Sequence, residues 1–140
     1  MREEELNMCM LLQKARKDYD TYEAMYKIND EWYLDVCCYH LQQAIEKVLK
    51  CSIELRGCKY SYKHAISLLY AQYLDAGWDE LSELEMMAGT ITQWESDSHY
   101  RDSLYATHNQ VLKAAEIYKI LEKRLVDYLK NGNTKKIDCF

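Results

Sequence analysis

The sequence contains no proline and only four glycines among its 140 residues. Proline cannot continue a helix and glycine weakens one, so the chain has few residues that interrupt helices. The glycines, at positions 57, 77, 89 and 132, each lie near the end of a segment with helical spacing of apolar residues. A chain with so few breakers is expected to be all-helical.

Long apolar runs and paired cysteines are also missing. No stretch approaches the length that spans a membrane, and the first eight residues, MREEELNM, are acidic where a secretion signal would be apolar. The six cysteines include no Cys-x-x-Cys pair, which argues against a zinc site. We therefore expect a soluble cytoplasmic protein without metal or other cofactor, whose cysteines are reduced and pack as small hydrophobic residues.

Tyrosine is abundant and the net charge is negative. Thirteen tyrosines stand against one phenylalanine, and the formal net charge is −5. A tyrosine packs its ring but needs a partner for its hydroxyl, so many are expected at the edge of the core, in interfaces or over a ligand. The negative charge argues against broad coating of a nucleic acid, which depends on neutralising many phosphates, and leaves a local basic site open.

Residues 32–57 contain apolar residues at steps of three and four, the spacing of a helix. A second row on another side predicts a helix that is buried between several neighbours. Asn29 or Asp30 can cap its start, and Gly57 can end it. The main row is Leu34, Cys37, Cys38, Leu41, Ile45, Val48, Ser52 and Leu55, and the second is Val36, Tyr39, Ala44 and Cys51.

Further helices are predicted at about 3–27, 62–76 and 103–130, with a short one at 80–87 that Asp79 can cap. The segment 90–98 fits either an extension of the short helix or a loop. The predicted fold is all-α, an up-and-down four-helix bundle with an additional short helix. It forms one domain over residues 1–130, followed by a flexible tail at 131–140.

The segment YHLQQAIEKVLK at residues 39–50 resembles the signature helix of the HEPN domain family, in which Gln-Gln-Ala precedes Glu-Lys and a second Lys. Tyr62-Lys63-His64 resembles the segment that follows it in that family. The resemblance covers about residues 5–130. It implies a helical bundle that forms a homodimer and binds RNA or a nucleotide. Family members also act as ribonuclease toxins of toxin–antitoxin pairs or beside a minimal nucleotidyltransferase.

The resemblance also implies a catalytic pair, Arg101 and His108. Active HEPN ribonucleases carry an arginine, then a polar residue, then a histidine after four to six intervening residues; here Asp102 takes the polar place and six residues intervene. On one continuous helix, Arg101, Tyr105 and His108 would share a face. Arginine can hold phosphate oxygens, histidine can exchange a proton with the ribose or the leaving oxygen, and Tyr105 can stack on a base or order the phosphate. This chemistry requires no metal ion.

Structural roles for the same residues stay open. Arg101 can pair with Asp97 or Asp102, and His108 is in line with Leu104, so it can be a hydrogen-bonded core or interface residue. Two other functions also stay open. One is a non-catalytic module that binds a nucleotide or a protein beside a nucleotidyltransferase, and the other is a purely structural helical adaptor.

The remaining histidines are weaker candidates. His40 is predicted to pack or bond within the bundle, and His64 to be structural. Glu95 and His99 are one turn apart, but a metal site in a bundle needs several more ligands. A basic cluster near the second loop is predicted to be a solvated rim and consists of Arg56, Lys59 and Lys63.

Overall fold

The computed structural model describes the backbone of residues 10–100 and 106–131 and the side chains of residues 10–94 and 106–131. These residues form five α-helices and no strands, which confirms the all-α fold. A short 3₁₀ helix, Glu31–Tyr33, joins the first two helices. The α-helices are α1 (Met10–Lys27), α2 (Leu34–Leu55), α3 (Ile66–Asp75), α4 (Ser82–Tyr100) and α5 (His108–Lys130).

Helix α2 lies at the centre of the bundle and packs against each of the other four helices. Both of its predicted apolar rows face these neighbours, and Leu41, Ile45 and Val48 are fully buried. Each surrounding helix adds large side chains to the same core, among them Leu12, Leu69, Leu84 and Leu121. None of the described helices combines the length and the apolar character that crossing a bilayer requires.

Glycines end α2 and α3, as predicted. Gly57 has φ 85° and Gly77 has φ 91°, a left-handed conformation that side chains with a Cβ disfavour. At the first of these ends, the amide of Gly57 donates to the carbonyl of Glu54, and the amide of Cys58 donates to the carbonyl of Ile53. Gly77 and the residue after it form the same pair of bonds. This Schellman arrangement satisfies carbonyls that would otherwise lack partners.

Helix α3 begins at Ile66, and the prediction that it begins at Tyr62 is wrong. Tyr62 is largely exposed, and the segment before α3 is fixed by one side chain of α3 itself and one of α4. The amide of Ser61 donates to Gln72 Oε1 at 2.9 Å, and the amide of Ile66 donates to Thr92 Oγ1 at 2.9 Å. Since these two amides already have hydrogen-bond acceptors, no additional helical turn before Ile66 is required to satisfy them.

Helix α4 has 19 residues, so the prediction of a short helix over 80–87 is wrong and the extension through 90–98 is the observed alternative. Its buried row runs through Leu84, Ala88, Ile91 and Trp94 and passes Gly89 without a break. Gly89 lies on the outer side, where a Cβ would meet nothing within 4 Å. The short additional helix of the bundle is therefore α3, with 10 residues.

Tyrosines line the edge of the core, and the hydroxyl groups of Tyr70 and Tyr118 have hydrogen-bond partners, as expected. Tyr118 donates to Glu122 Oε2 at 2.5 Å, and the hydroxyl of Tyr70 accepts from the amide of Leu81 at 3.0 Å. Burial, and then the bond to Glu122, raises the pKa of Tyr118. The buried tyrosines are Tyr19, Tyr22, Tyr70, Tyr73, Tyr118 and Tyr128.

The cysteines among the described residues are of two kinds. Cys37, Cys38 and Cys51 are buried and form no disulfide, as predicted. Burial raises the pKa of Cys37 to about 11, with a smaller contribution from Asp35, and burial raises the pKa of Cys38 as well. Cys58 is disulfide-bonded, so the prediction of reduced cysteines is wrong for this residue.

Arg56 packs over aromatic rings and is not part of a solvated rim. Its guanidinium carbon lies 4.8 Å from the ring centre of Trp78 and 5.0 Å from that of Tyr128. Stacking of this kind contributes about 0.5–2 kcal/mol, more where the cation is shielded from water. The interaction joins the end of α2 to α5 and to the segment that follows α3.

We predict that stability falls in alkaline solution. The pKa of the Cys37 thiol is ordinarily about 9.0, as in the unfolded chain, whereas burial raises the pKa of the native thiol to about 11. The contribution of Cys37 is therefore complete below about pH 9 and is lost as the pH rises to about 11, on the order of 1–3 kcal/mol. The raised pKa values of Tyr22 and Tyr118 act in the same direction.

Urea denaturation at about pH 8 and about pH 10.5 measures this loss of the free energy of unfolding. The Cys37→Ala variant is the matched control, because it removes the titrating thiol and should show a smaller pH dependence. A wild-type midpoint that is the same at both pH values would contradict the prediction.

Candidate active site around His108

Helix α5 begins at His108 with a complete capping box. The hydroxyl of Thr107 accepts from the amide of Gln110 at 3.1 Å, and Gln110 Oε1 accepts from the amide of Thr107 at 3.0 Å. Thr107 has φ −99° and ψ 157°, an extended conformation that an α-helix does not contain. His108 is therefore fixed as the first helical residue.

The predicted start of this helix at residue 103 is wrong, because Thr107 interrupts the helical backbone. The inference that Arg101, Tyr105 and His108 share a face of one continuous helix is wrong for the same reason. Arg101, Asp102 and Tyr105 lie outside the described residues. In the sequence Arg101 directly follows Tyr100, the last residue of α4.

The imidazole of His108 lies at the surface and is held by a neighbouring helix. Its Nδ1 is 3.0 Å from the hydroxyl of Tyr26, in the last turns of α1. Its Nε2 is 3.5 Å from Glu31 Oε1, on the 3₁₀ helix. Half of the side chain, 49%, remains exposed, so His108 is not a core residue.

These contacts define two states of the ring. If Tyr26 donates its hydroxyl proton to Nδ1, the ring proton is on Nε2 and faces Glu31. If Nδ1–H donates to the phenolic oxygen, Nε2 presents a lone pair and can act as a base. Glu31 is mostly exposed, and its 3.5 Å contact is long for a hydrogen bond, so its carboxylate can leave Nε2 at low cost.

An exposed tryptophan follows Glu31. Trp32 is 79% exposed, and its amide donates to Asp30 Oδ1 at 3.0 Å, which fixes the turn. Asp30 thus caps the 3₁₀ helix and not α2, and Asn29 before it has φ 57°. A rigid turn therefore presents a large aromatic surface next to the residue that contacts His108.

A groove between α1 and α5 extends to Tyr26, the residue whose hydroxyl contacts His108. Its section beside Tyr26 has a volume of about 370 Å³, and a wider section beyond it has about 640 Å³. Cations and anions alternate along the walls, so the groove has no concentrated positive charge. Four tyrosine rings line it, with centres 4.5 to 5.6 Å apart, in the order Tyr118, Tyr19, Tyr22 and Tyr26. The ring centre of His108 is 5.8 Å from that of Tyr26.

The comparison with known families agrees with this architecture. The sequence profile described as the HEPN domain matches residues 8–128, which is most of the chain. The chain belongs to the HEPN domain family. A search of curated proteins and a search of solved structures found no significant match.

The segment that resembles the HEPN signature lies in α2, and its polar residues form a buried network. Glu46 is only 2% exposed and is 2.7 Å from His64 Nδ1 and 3.2 Å from Lys50 Nζ. Gln42 Nε2 donates to the second oxygen of Glu46 at 3.5 Å, and Gln43 donates to Gln42 Oε1 at 2.6 Å. His64 therefore ties the segment before α3 to α2, which agrees with its predicted structural role.

His40 also bonds within the bundle of this HEPN domain, as predicted. Its Nδ1 is 2.8 Å from Asp18 Oδ1, and Lys47 binds the other oxygen of the same carboxylate. The three side chains are mostly buried between α1 and α2. They hold these two helices together.

Two further points concern metal binding and the neighbours of His108. Among the side chains of residues 10–94 and 106–131, no three histidine, cysteine or acidic groups are arranged to hold a metal ion. The side chains of Glu95 and His99 lie outside that set. The sequence pattern did not identify Tyr26 and Glu31 as neighbours of His108, because they are far from it along the chain and only folding brings them together.

We predict that Thr107→Ala destabilises the protein by about 1 kcal/mol, because the amide of Gln110 loses its capping partner. Thr107→Ser is the matched control and should keep most of the stability, since its hydroxyl can accept the same bond. Thermal and urea denaturation measure both variants. Had the helix run continuously from residue 103, alanine would be neutral or stabilising, and that result would contradict the observed start of α5.

Proposed function

We propose that this HEPN domain is a dimeric, metal-independent endoribonuclease in which Arg101 and His108 are the catalytic residues. Asp102 and Tyr105 are proposed to bind the substrate. The observation that supports the proposal most directly is the state of His108. Its imidazole is half-exposed, oriented by Tyr26 through one nitrogen, and faces an exposed carboxylate with the other. A titratable ring in this position can exchange a proton with a bound substrate.

The proposed reaction is an attack of the ribose 2′-hydroxyl on the adjacent phosphorus. The bond between O2′ and phosphorus forms and the bond between phosphorus and O5′ breaks, which gives a 2′,3′-cyclic phosphate and a 5′-hydroxyl end. Nε2 of His108 accepts the 2′-hydroxyl proton, or an imidazolium donates the proton that the 5′-oxygen takes up. The Arg101 guanidinium binds the phosphate oxygens while negative charge builds on them.

A dimer is part of the proposal because this step requires both a proton acceptor and a proton donor. One chain supplies His108 to the proposed site, and a second copy would supply another. The position of His108 at the first turn of α5 is also favourable for a phosphate, since the positive end of the helix dipole lies there.

The biological setting is proposed from the family. A ribonuclease toxin in a toxin–antitoxin pair is the setting that fits this chemistry, and the cytoplasm is the compartment that contains its RNA substrate. The three buried cysteines that form no disulfide fit a reducing compartment, whereas the disulfide of Cys58 does not, so the cytoplasmic location stays a prediction.

We predict that the purified protein cleaves single-stranded RNA in the presence of EDTA. His108→Ala and Arg101→Ala should each lower the rate by at least about 100-fold, the size typical for loss of a general acid–base group. Analysis of the product ends by gel and mass spectrometry should show 2′,3′-cyclic phosphate.

Two controls make this test specific. An oligonucleotide with 2′-deoxyribose at the cleaved position should bind but resist cleavage, because it lacks the attacking group. His40→Ala changes a histidine that bonds within the bundle and should leave the rate of the folded protein nearly unchanged. Equal rates for wild type, His108→Ala and Arg101→Ala would contradict the proposal.

A second function is favoured by the contact between Glu31 and His108. Since both ring nitrogens have neighbours within the chain and the net charge is −5, the domain can instead be a non-catalytic nucleotide- or protein-binding partner of a nucleotidyltransferase. For this function we predict a thermal shift with a nucleotide, because a ligand at 100 times its Kd adds about 2.7 kcal/mol of stability. A panel of nucleoside mono- and triphosphates tests it, and the absence of any shift would contradict nucleotide binding.

A further inference from the structure

Glu31 and His108 bring a carboxylate and an imidazole together at the surface. Glu31 Oε1 is 3.5 Å from Nε2 of His108, and the hydroxyl of Tyr26 is 3.0 Å from Nδ1 of the same ring. The side chains of Glu31 and His108 are 83% and 49% exposed, so both can contact a molecule that arrives from solvent. The contact joins the 3₁₀ helix to the first turn of α5.

The other two histidines that contact carboxylates are arranged differently. The carboxylate partners of His40 and His64 are 13% and 2% exposed. Each of these carboxylates also binds a lysine, so its charge is already balanced within the bundle. Glu31 is exposed, and its contact with His108 is long for a hydrogen bond. Of these three pairs, Glu31 and His108 form the one that a substrate can separate at low cost.

The proposed cleavage requires a proton acceptor for the 2′-hydroxyl and a proton donor for the 5′-oxygen. These two oxygens lie on opposite sides of phosphorus, so the acceptor and the donor must approach the phosphate from two sides. Rotation of the exposed Glu31 side chain away from Nε2 makes room for a phosphodiester between the carboxylate and the ring. The two groups would then flank the reacting phosphate.

We infer that Glu31 is a catalytic residue of the proposed reaction, the general base that accepts the 2′-hydroxyl proton, with the His108 imidazolium as the general acid. The bond between O2′ and phosphorus forms as the proton moves to Glu31. The bond between phosphorus and O5′ breaks as Nε2–H donates its proton to O5′. The inference rests on the proposed function for the reaction itself. It places the acceptor and the donor in one chain, so a dimer would contain two complete pairs.

The contact between Glu31 and His108 also returns the site to its starting state. After cleavage the carboxyl group of Glu31 holds a proton and Nε2 has a lone pair. When the product leaves, Oε1 and Nε2 meet again, and the proton passes to the imidazole because it is the stronger base. Nδ1–H donates to the oxygen of Tyr26 throughout, which keeps Nε2 facing the substrate. Tyr26 is therefore a positioning residue.

Glu31→Gln tests the inference, because the amide keeps the size of the side chain and cannot accept the proton. Its kcat for single-stranded RNA in EDTA should be about 100-fold or more below that of the wild type. Its Kd for an oligonucleotide with 2′-deoxyribose at the cleaved position should stay the same or fall, since a negative charge is removed from the site. Glu31→Asp keeps a carboxylate and should recover part of the lost kcat.

The matched control is Glu54→Gln, which removes an exposed carboxylate from the last turn of α2, far from the end that Glu31 precedes. It should keep the wild-type kcat. Circular dichroism and thermal denaturation show that each variant is folded.

An RNA with sulfur in place of the bridging 5′-oxygen separates the two roles. A thiolate leaves phosphorus without being protonated, so this substrate needs the general base and not the general acid. His108→Ala should therefore regain most of its lost rate on the sulfur substrate. Glu31→Gln should stay about 100-fold slower than the wild type on the same substrate, because it lacks the proton acceptor.

Two results would overturn the inference and keep the nuclease. One is a kcat of Glu31→Gln that equals or exceeds that of the wild type while His108→Ala is slow, since a carboxylate that only blocks Nε2 gives this outcome. The other is a sulfur substrate that restores Glu31→Gln and not His108→Ala, which reverses the two roles. A wild type that cleaves no RNA would overturn both the inference and the proposed function.

Discussion

The fold depends on helix α2 being buried on nearly all sides while it carries polar groups. Apolar side chains explain why the other helices gather around it, but Gln42 and Glu46 are buried in the same environment. A buried carboxylate without partners costs several kcal/mol, so Glu46 requires the pairing with Lys50 and His64 that the structure contains. The partners restrict how the helices can pack, because His64 must approach α2 from the segment before α3. The signature residues of this HEPN domain are thus explained by the folding of the bundle without any need for a ligand.

Much of the fold could be predicted from residue spacing. The two apolar rows of α2 and the glycines after α2 and α3 could be predicted because residues close in the sequence determine both features. The start of α3 and the length of α4 are not determined in this way. The amide of Ile66 is satisfied by Thr92, a residue 26 positions away, and α4 continues past Gly89 because its inner face is packed. The disulfide of Cys58 likewise depends on tertiary structure.

The candidate site was less predictable for a related reason. The family pattern identified His108, and this residue does lie at the surface. The helical extrapolation upstream of it was wrong because Thr107 and Gln110 form a capping box, a signal that is visible in the sequence but was outweighed by apolar periodicity. Tyr26 and Glu31 are separated from His108 by 82 and 77 positions, and nothing in the spacing of either segment pairs them. What determines the state of the imidazole therefore comes from α1 and the 3₁₀ helix.

The exposed indole of Trp32 gives this molecule an internal optical probe. The other two tryptophans, Trp78 and Trp94, are 9% and 1% exposed, so solvent-borne quenchers reach essentially one fluorophore. Trp32 directly follows Glu31, the residue whose carboxylate contacts His108. A molecule that binds near the imidazole can therefore be detected by the fluorescence of Trp32, at the red edge of the protein's emission. The measurement needs no label and no change to the chain.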